Sequence, residues 1–266
     1  MTALQAAAFG LIQGLTEFLP VSSSGHLALL KSIWGFEDVS ILFDVLLHVA
    51  TLAAVLIVFR KRIWKLILSL LHGIRGRADE GDRMHLKLIL MLLLATVITA
   101  VLGIGIDEML QPASNIKLVS LLFIVTAGIL ILSSRVKPGN KGYKELGVRE
   151  SIITGVAQGM GVFAGISRSG ITISAGIFAG LKREEAGEFS FLLAIPAILG
   201  AAILKIPELG DLQGSIGGLP LILGISAAFF SGLISLILLM KLVRSGKLHY
   251  FSLYLIPLGI AGLIFL

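Results

Sequence analysis

Three titratable side chains, Glu17, His26 and Arg168, lie within apolar stretches of the sequence. Glu17 and His26 are the only titratable side chains in residues 1–30, and Arg168 is the only charged one in residues 151–181. An ionisable side chain at membrane depth is costly enough to indicate a function. A carboxyl group and an imidazole can exchange protons with a bound group, and a planar guanidinium can bind two phosphoryl oxygens at once. Together they predict a site that binds an anion and performs acid–base chemistry on it.

The composition predicts that this site lies in a membrane protein. Of 266 residues, 56% are hydrophobic and 14% are charged, with a mean hydropathy of +0.98, whereas an ordinary soluble chain has about 25% charged residues. The lack of cysteine excludes disulfides and thiolate chemistry. The net charge of +6 does not indicate nucleic acid, because the basic residues cluster between apolar runs, where they set topology. We expect one multi-pass domain, residues 1–266, in the plasma membrane, with membrane lipid around it and no nucleic-acid partner.

Six apolar runs bounded by charge predict membrane-spanning helices, near residues 39–59, 86–106, 116–133, 189–204, 218–240 and 250–266. The segments 60–87, 134–149 and 241–249 hold eight, five and three Lys or Arg residues, so they are expected in the cytoplasm. The first residues lack the positive region of a cleaved signal, so the first apolar segment is expected to remain in the protein.

Two further apolar regions, residues 3–34 and 148–181, are interrupted midway by Gly- and Ser-rich sequence. Polar backbone of this kind is tolerated at membrane depth only when it is buried in protein or lines a wet cavity. Each region is therefore expected to form a re-entrant helix hairpin. The loop charges predict that the first hairpin enters from the outer face and the second from the cytoplasmic face.

An internal repeat relates the two interrupted regions. A shift of 145 positions aligns seven identical residues, namely Gly10, Gln13, Gly14, Phe18, Ser22, Ser24 and Gly25 with Gly155, Gln158, Gly159, Phe163, Ser167, Ser169 and Gly170. We predict an all-α fold of two inverted-topology repeats, about residues 1–133 and 146–266, with about ten membrane helical segments. The two interruptions should then meet near the midplane, and two helix amino termini facing one cavity would form an anion site.

These residues resemble a known family. Residues 13–26, QGLTEFLPVSSSGH, are similar to the glutamate-rich signature of the bacitracin-resistance family of undecaprenyl-diphosphatases, and residues 165–172, GISRSGIT, resemble its arginine-containing signature. Residues 188–196, EFSFLLAIP, also resemble a family segment. The chain departs from the family pattern at Gln13, where the family often has Glu, and at Ala164, where it usually has Pro. The first departure weakens the case for two carboxylates that bind a metal.

The resemblance implies an integral membrane hydrolase that removes the terminal phosphate of a polyprenyl diphosphate and so regenerates the carrier for cell-wall polymers. The candidate catalytic residues are Glu17, Ser23, His26 and Arg168, and the candidate substrate-binding residues are Gln13, Ser22, Ser24, Ser167, Ser169, Gly170 and Thr172. A Mg²⁺ or Ca²⁺ ion could bridge the diphosphate, with Glu17 as a weak candidate ligand. No organic cofactor is expected, and a homodimer is a further arrangement that the sequence allows.

Several roles stay open at this point. Arg168 is expected to bind phosphate, or to form a structural ion pair with Glu17. Glu17 could act as general base, general acid or metal ligand. Ser23 could attack phosphorus while His26 or Glu17 takes its proton, His26 could attack directly, or these residues could orient water. Ser22, Ser23 and Ser24 could instead cap a helix. Ser167, Ser169 and Thr172 could donate to phosphate, or their Gly- and Ser-rich segment could allow close helix packing.

A transporter or flippase for polyprenyl phosphate is the competing function, since inverted repeats and broken helices also build transporters. Glu17, Ser23 and His26 favour the hydrolase, because a carrier needs only to hold phosphate whereas a phosphatase must exchange protons with it. Asp44 and His48, spaced i,i+4 in an apolar run, are expected to play a supporting or structural role.

Overall fold

The computed structural model describes residues 1–35, 41–110, 115–137, 139–204 and 217–266, excluding the side chains of 41 and 107–110. Apart from one isolated bridge between Lys141 and Leu181, the regular structure of this part is helical. Its α-helices are α1 (Ala3–Phe18), α2 (Ser23–Trp34), α3 (Ile41–Val58), α4 (Arg60–Ile74), α5 (Glu80–Leu110), α6 (Ile116–Arg135), α7 (Val148–Met160), α8 (Arg168–Phe178), α9 (Arg183–Leu204), α10 (Gly218–Arg244) and α11 (Ser252–Phe265). A short 3-10 helix, Leu248–Phe251, precedes α11.

Five helices in the described part are long and apolar enough to cross a membrane. They cover Glu80–Ile106, Ile116–Arg135, Arg183–Leu204, Gly218–Arg244 and Leu248–Phe265. A sixth candidate is the pair Leu42–Val58 and Arg60–Ile74, which meets at a bend of 77°. The protein is therefore an integral membrane protein with an all-helical fold, as the composition predicts. All six predicted runs overlap these helices, although the predicted span 39–59 begins outside the described residues.

The segment 60–87 differs from its prediction as a basic loop, because most of it is helical. Helix α4 leaves α3 at the 77° bend and buries only Leu66 and Ser69 among its fifteen residues. Its exposed surface combines Lys61 and Lys65 with the apolar Trp64. Basic and aromatic residues together on one exposed helix are typical of a helix that lies in the membrane interface. The charge count did not predict the helix that carries these charges, and the cytoplasmic location of the segment remains a prediction.

The first helix of each repeat packs closely against a long helix through glycines. A methyl group at Gly10 of α1 would overlap the carbonyl oxygen of Gly224 in α10, and one at Gly155 of α7 would lie 2.8 Å from the carbonyl oxygen of Ala95 in α5. Thr99 of α5 also donates a hydrogen bond to the Gly155 carbonyl (3.1 Å). Small residues let membrane helices approach to backbone contact. These two glycine-lined helix contacts, α1 with α10 and α7 with α5, are called seams below. They hold in place the two helices, α1 and α7, that end at the interruptions.

Candidate active site

The first interruption lies between α1 and α2, and Ser22 organises it. Ser22 has a positive φ of 69°, which is uncommon for a residue other than glycine. Its hydroxyl oxygen caps α2 by accepting from the N–H of Gly25 (3.3 Å) and also accepts from the N–H of Gly165 (3.0 Å). Backbone strain of this kind persists where the surroundings hold it in place, and it is frequent at functional sites.

The second interruption lies between α7 and α8 and meets the first. Ser167 caps α8 by accepting from the N–H of Gly170 (3.1 Å), as Ser22 does for α2. The hydroxyl of Ser169 donates to the carbonyl of Phe18 at the end of α1 (2.9 Å). With the bond from Gly165 to Ser22, these contacts join the two interruptions directly and bring the amino termini of α2 and α8 to one place.

Glu17, in the last turn of α1, is the centre of the site. Its carboxylate is buried, and its Oε1 forms an ion pair with Nη2 of Arg168 at the start of α8. Its Oε2 accepts hydrogen bonds from the hydroxyl of Ser23 (2.6 Å) and from the side-chain amide of Gln13 (2.9 Å). Residues from both interruptions therefore surround one carboxylate. A hydroxyl bonded to a carboxylate is poised to transfer its proton to it.

The site opens into a cavity of about 570 Å³ that has a polar end and an apolar arm. The polar end is lined by Glu17, Ser22, Ser23, Ser24, Asp44, His48, Gln158, Ser167 and Arg168. The arm runs between α5 and α9 and is lined mainly by small and aliphatic residues, among them Ala100, Gly103, Ile104, Ala197, Gly200, Ala201 and Leu204. A cavity of this form suits an amphiphile that has a polar head and a hydrocarbon tail.

Comparison with known proteins places the chain in a family. Residues 6–261 match the family of bacitracin resistance protein BacA. The chain belongs to this BacA family. It is 49% identical over 260 residues to an undecaprenyl-diphosphatase of Treponema denticola, covering 98% of this chain and 96% of that protein. It is 40% identical to one of Carboxydothermus hydrogenoformans (99% and 97% covered) and 41% identical to one of Borrelia hermsii (96% of each covered).

His26 of this BacA-family chain lies apart from Ser23, although the two were predicted to cooperate. Its Nδ1 is 2.7 Å from the carbonyl oxygen of Ser22, so Nδ1 carries the hydrogen, and its Nε2 is 2.8 Å from the hydroxyl of Tyr254. The imidazole ring also stacks on the Tyr254 ring. Both ring nitrogens are thus engaged, and no hydrogen bond among the described residues joins His26 to Ser23.

The other predicted binding residues divide into two groups. Ser22, Ser24 and Ser167 line the cavity. Gln13, Ser169, Gly170 and Thr172 are buried, and each donates at least one hydrogen bond to protein. Thr172, for example, donates to the Arg168 carbonyl (2.7 Å) and contacts the Ser190 hydroxyl. The residues of the second group do not line the cavity, and they stabilise the helices around it through hydrogen bonds to protein.

Sequence reasoning assigned Asp44 and His48 a minor role, yet both lie in the cavity wall. His48 Nε2 is 3.5 Å from Oε2 of Glu17, and its Nδ1 is 2.8 Å from the Asp44 carbonyl. Asp44 forms an ion pair with Lys31 of α2. The available signal was the i,i+4 spacing of two polar residues inside an apolar run, which marks one helix face but not what that face meets.

The described residues of the site do not form a protein cage for a metal ion. In the part of the chain that the structure describes, no three His, Cys, Asp or Glu side chains are grouped as metal ligands. Both oxygens of Glu17, the weak candidate ligand, already bind donors, one of them the Arg168 guanidinium. A second positive charge at this carboxylate would be repelled by Arg168.

Proposed function

We propose that this protein hydrolyses undecaprenyl diphosphate to the monophosphate and inorganic phosphate, which recycles the lipid carrier and supports resistance to bacitracin. The observation that carries the proposal is the contact of Ser23, Glu17 and Arg168 at the polar end of an amphipathic cavity, in a chain of the BacA family. The relatives named undecaprenyl-diphosphatase match nearly the full length of the chain.

Arg168 supplies the binding of the terminal phosphate. Its planar guanidinium can bind two phosphoryl oxygens and neutralise the charge that builds up on them. The amino termini of α2 and α8 add N–H groups and partial positive charge on the same side. Phosphoryl transfer is catalysed mainly by such positioning and charge stabilisation. In the absence of substrate, Glu17 occupies the anion position beside Arg168.

Ser23 and Glu17 supply the proton transfer. The Ser23 hydroxyl attacks phosphorus as its proton passes to Glu17 Oε2, the bond to the bridging oxygen breaks, and the leaving oxygen keeps the electron pair. Water then releases phosphate from Ser23. In the alternative version Glu17 and Ser23 orient a water molecule that attacks directly. His26 is less suited to either step, since its nitrogens bind Ser22 and Tyr254, and we assign it to positioning.

The apolar arm of the cavity is proposed to hold the first isoprene units of the lipid. Its walls come from α5 and α9, two of the long candidate spans, so a chain that leaves the arm would pass from protein into hydrocarbon. A divalent cation, Mg²⁺ or Ca²⁺, is proposed to arrive on the diphosphate oxygens, since the protein offers no cage for it.

The repeat predicted from sequence is proposed as the basis of this architecture. Helix α1 packs on α10 while its counterpart α7 packs on α5, and corresponding glycines form both seams. The paired caps at Ser22 and Ser167 follow the same relation. Two inverted repeats with re-entrant hairpins in the plasma membrane would account for these correspondences. The repeat boundaries, the sidedness and a homodimer remain predictions.

Phosphate release from a prenyl diphosphate by the purified protein in detergent tests the proposed reaction. We expect release from C55 and C15 substrates, and slower release after addition of a chelator. The variants Arg168→Ala and Glu17→Ala should lose release while keeping the wild-type elution profile on size exclusion. Full turnover by either variant would contradict the assigned site. Lipid transport in liposomes without any phosphate release would favour the flippase instead.

A further inference from the structure

We propose that Gln158 positions the water molecule that attacks the phosphoryl group. This inference rests on the proposed hydrolysis and assigns one further residue to it. Gln158 lies in the last turn of α7, three residues before Gly161, and it is 3% exposed. It lines the same cavity as Glu17, Ser23 and Arg168. No step described so far uses it.

One end of the Gln158 amide is fixed and the other has no partner. Its Nε2 donates to the carbonyl oxygen of Leu193 in α9 (3.2 Å), which settles the orientation of the amide because a carbonyl can only accept. Its Oε1 is buried and accepts no hydrogen bond from any described residue. A buried acceptor without a donor costs roughly 1–3 kcal/mol. Such a group in a cavity wall therefore indicates a ligand that brings a hydrogen.

The chemistry of the ligand identifies which molecule can supply that hydrogen. The oxygens of an ionised diphosphate are acceptors, so they cannot satisfy Gln158 Oε1 and would be repelled by it. The isoprene chain has no polar hydrogen. Water, in contrast, can donate one hydrogen to Gln158 and still present a lone pair to phosphorus. Water, the second reactant of a hydrolysis, is thus the molecule that can donate to Gln158 Oε1.

Gln158 also lies next to the phosphate-binding arginine. The N–H of Gly161 donates to the backbone carbonyl of Gln158 (2.9 Å). Gly161 also packs closely on Arg168, since a methyl group at Gly161 would lie 2.9 Å from the arginine Cβ. The end of α7 is therefore held against the start of α8. Gln158 and Arg168 both line the cavity, so water bound by the Gln158 side chain and a phosphate held by Arg168 would share it.

The amides of the two aligned glutamines donate to different groups. Gln13, the counterpart of Gln158, donates to Glu17, four residues on, whereas the residue four after Gln158 is Val162, which has no polar side-chain atom. The second copy thus keeps the amide without its acid. Gln13 Oε1 is also without a partner, but Gln13 does not line the cavity among the described residues.

The step balances in both versions of the mechanism. The oxygen of the water forms a covalent bond to phosphorus, while one of its hydrogens stays on that oxygen and keeps its hydrogen bond to Gln158 Oε1. The bond from phosphorus to the leaving oxygen, either the bridging oxygen or Ser23 Oγ, breaks with its electron pair on that oxygen. In direct attack the other proton of the water passes to Glu17. In the two-step version Glu17 already holds the Ser23 proton, so it returns that proton to Ser23 Oγ as it takes the one from water. Gln158 is therefore a positioning residue and does not change its protonation.

Competition between water and methanol tests the proposal. Methanol has one O–H group and cannot donate to Gln158 and Glu17 at the same time, so the wild type should discriminate against it. In Gln158→Met, which keeps the side-chain length, we expect kcat to fall at least tenfold with KM within about threefold, and the ratio of methyl phosphate to phosphate to rise about fivefold, as expected for one lost hydrogen bond. Gln158→Asn, which displaces the carbonyl, provides a second variant if the first does not fold.

Thr154→Val is the matched control, because Thr154 lies one turn earlier in α7 and its buried hydroxyl bonds only to carbonyls of its own helix. It should keep the wild-type ratio. A Gln158 variant that loses activity at an unchanged product ratio would overturn the proposal and leave Gln158 as a structural link to Leu193. Unchanged kcat and ratio would overturn it as well. Absence of phosphate release by the wild type would instead refute the proposed hydrolysis itself.

Discussion

The two interruptions share the residues that shape them and differ in the residues that carry chemistry. The shared residues include the capping serines Ser22 and Ser167 and the glycines one turn later, Gly25 and Gly170. Three of the aligned positions that differ hold candidate catalytic residues: Glu17 is aligned with Val162, Ser23 with Arg168, and His26 with Ile171. The acid and the hydroxyl come from the first copy and the guanidinium from the second. The candidate catalytic residues thus lie at positions where the two aligned segments differ.

The backbone shows a second difference. The first interruption places a serine, Ser22, at positive φ, whereas the second places a glycine, Gly165, in such a conformation (φ 96°). Glycine adopts this conformation without steric cost and serine does not. The strain at Ser22 is held by hydrogen bonds that include one from Gly165 itself. The first interruption thus depends on the second for its shape as well as for its charge.

The largest expected effect comes from making the first copy resemble the second at its acid. Glu17→Val should reduce kcat for phosphate release by at least about 10³-fold, because it removes the proton acceptor of Ser23 and leaves Arg168 without its carboxylate partner. Val162→Ala changes the aligned position in the other copy and should cost less than about threefold, since no polar group is lost. Equal losses in the two variants would contradict the division of roles.

Removal of the Ser23 hydroxyl should have the next largest effect. Ser23→Ala is expected to lower kcat about 10²-fold if Ser23 is the nucleophile or orients it. Thr16→Ala, one residue before Glu17, removes a hydroxyl that bonds only to the Ile12 carbonyl of its own helix. We expect wild-type rates for it in the same assay. A Ser23→Ala variant with wild-type turnover would shift nucleophilic attack to another group.

The caps compare the two copies in stability. Ser22→Ala removes an acceptor of two backbone N–H groups and should destabilise the fold by about 2 kcal/mol. Ser167→Ala removes the acceptor of one and should cost about 1 kcal/mol. Thermal unfolding in detergent measures both as shifts in Tm. If Ser167→Ala proves the more damaging, the second interruption rather than the first organises the junction.

The smallest effect is expected for His26, which is aligned with Ile171 in the other copy. His26→Gln should reduce kcat about tenfold or less, because its ring nitrogens hold Ser22 and Tyr254 rather than Ser23. Tyr254→Phe, which removes the hydroxyl that contacts His26, should lower kcat about threefold. A 10³-fold loss in His26→Gln with no effect of Tyr254→Phe would restore His26 as a direct participant in the chemistry.

Much of this protein could be predicted from the order of its residues. Low charge and long apolar runs predict the spanning helices, since hydrocarbon admits few charges and requires internal hydrogen bonding. The positions of the interruptions follow from the Gly- and Ser-rich residues 20–25 and 165–170 inside apolar sequence. The rarity of charge in these regions indicates Glu17 and Arg168.

The partners of the site residues were decided only by tertiary structure. His26 and Ser23 are neighbours three residues apart on α2, yet Ser23 donates to Glu17 of α1 and His26 contacts Tyr254 of α11, so their tertiary partners separate their roles. The sequence does not show that His48 and Gln158 line the cavity. They line it because α3 and α7 pack beside it. Sequence determines which residues share a helix face and what lipid will tolerate. Which helix faces contact one another depends on packing between segments more than a hundred residues apart. The local spacing of residues does not predict that packing.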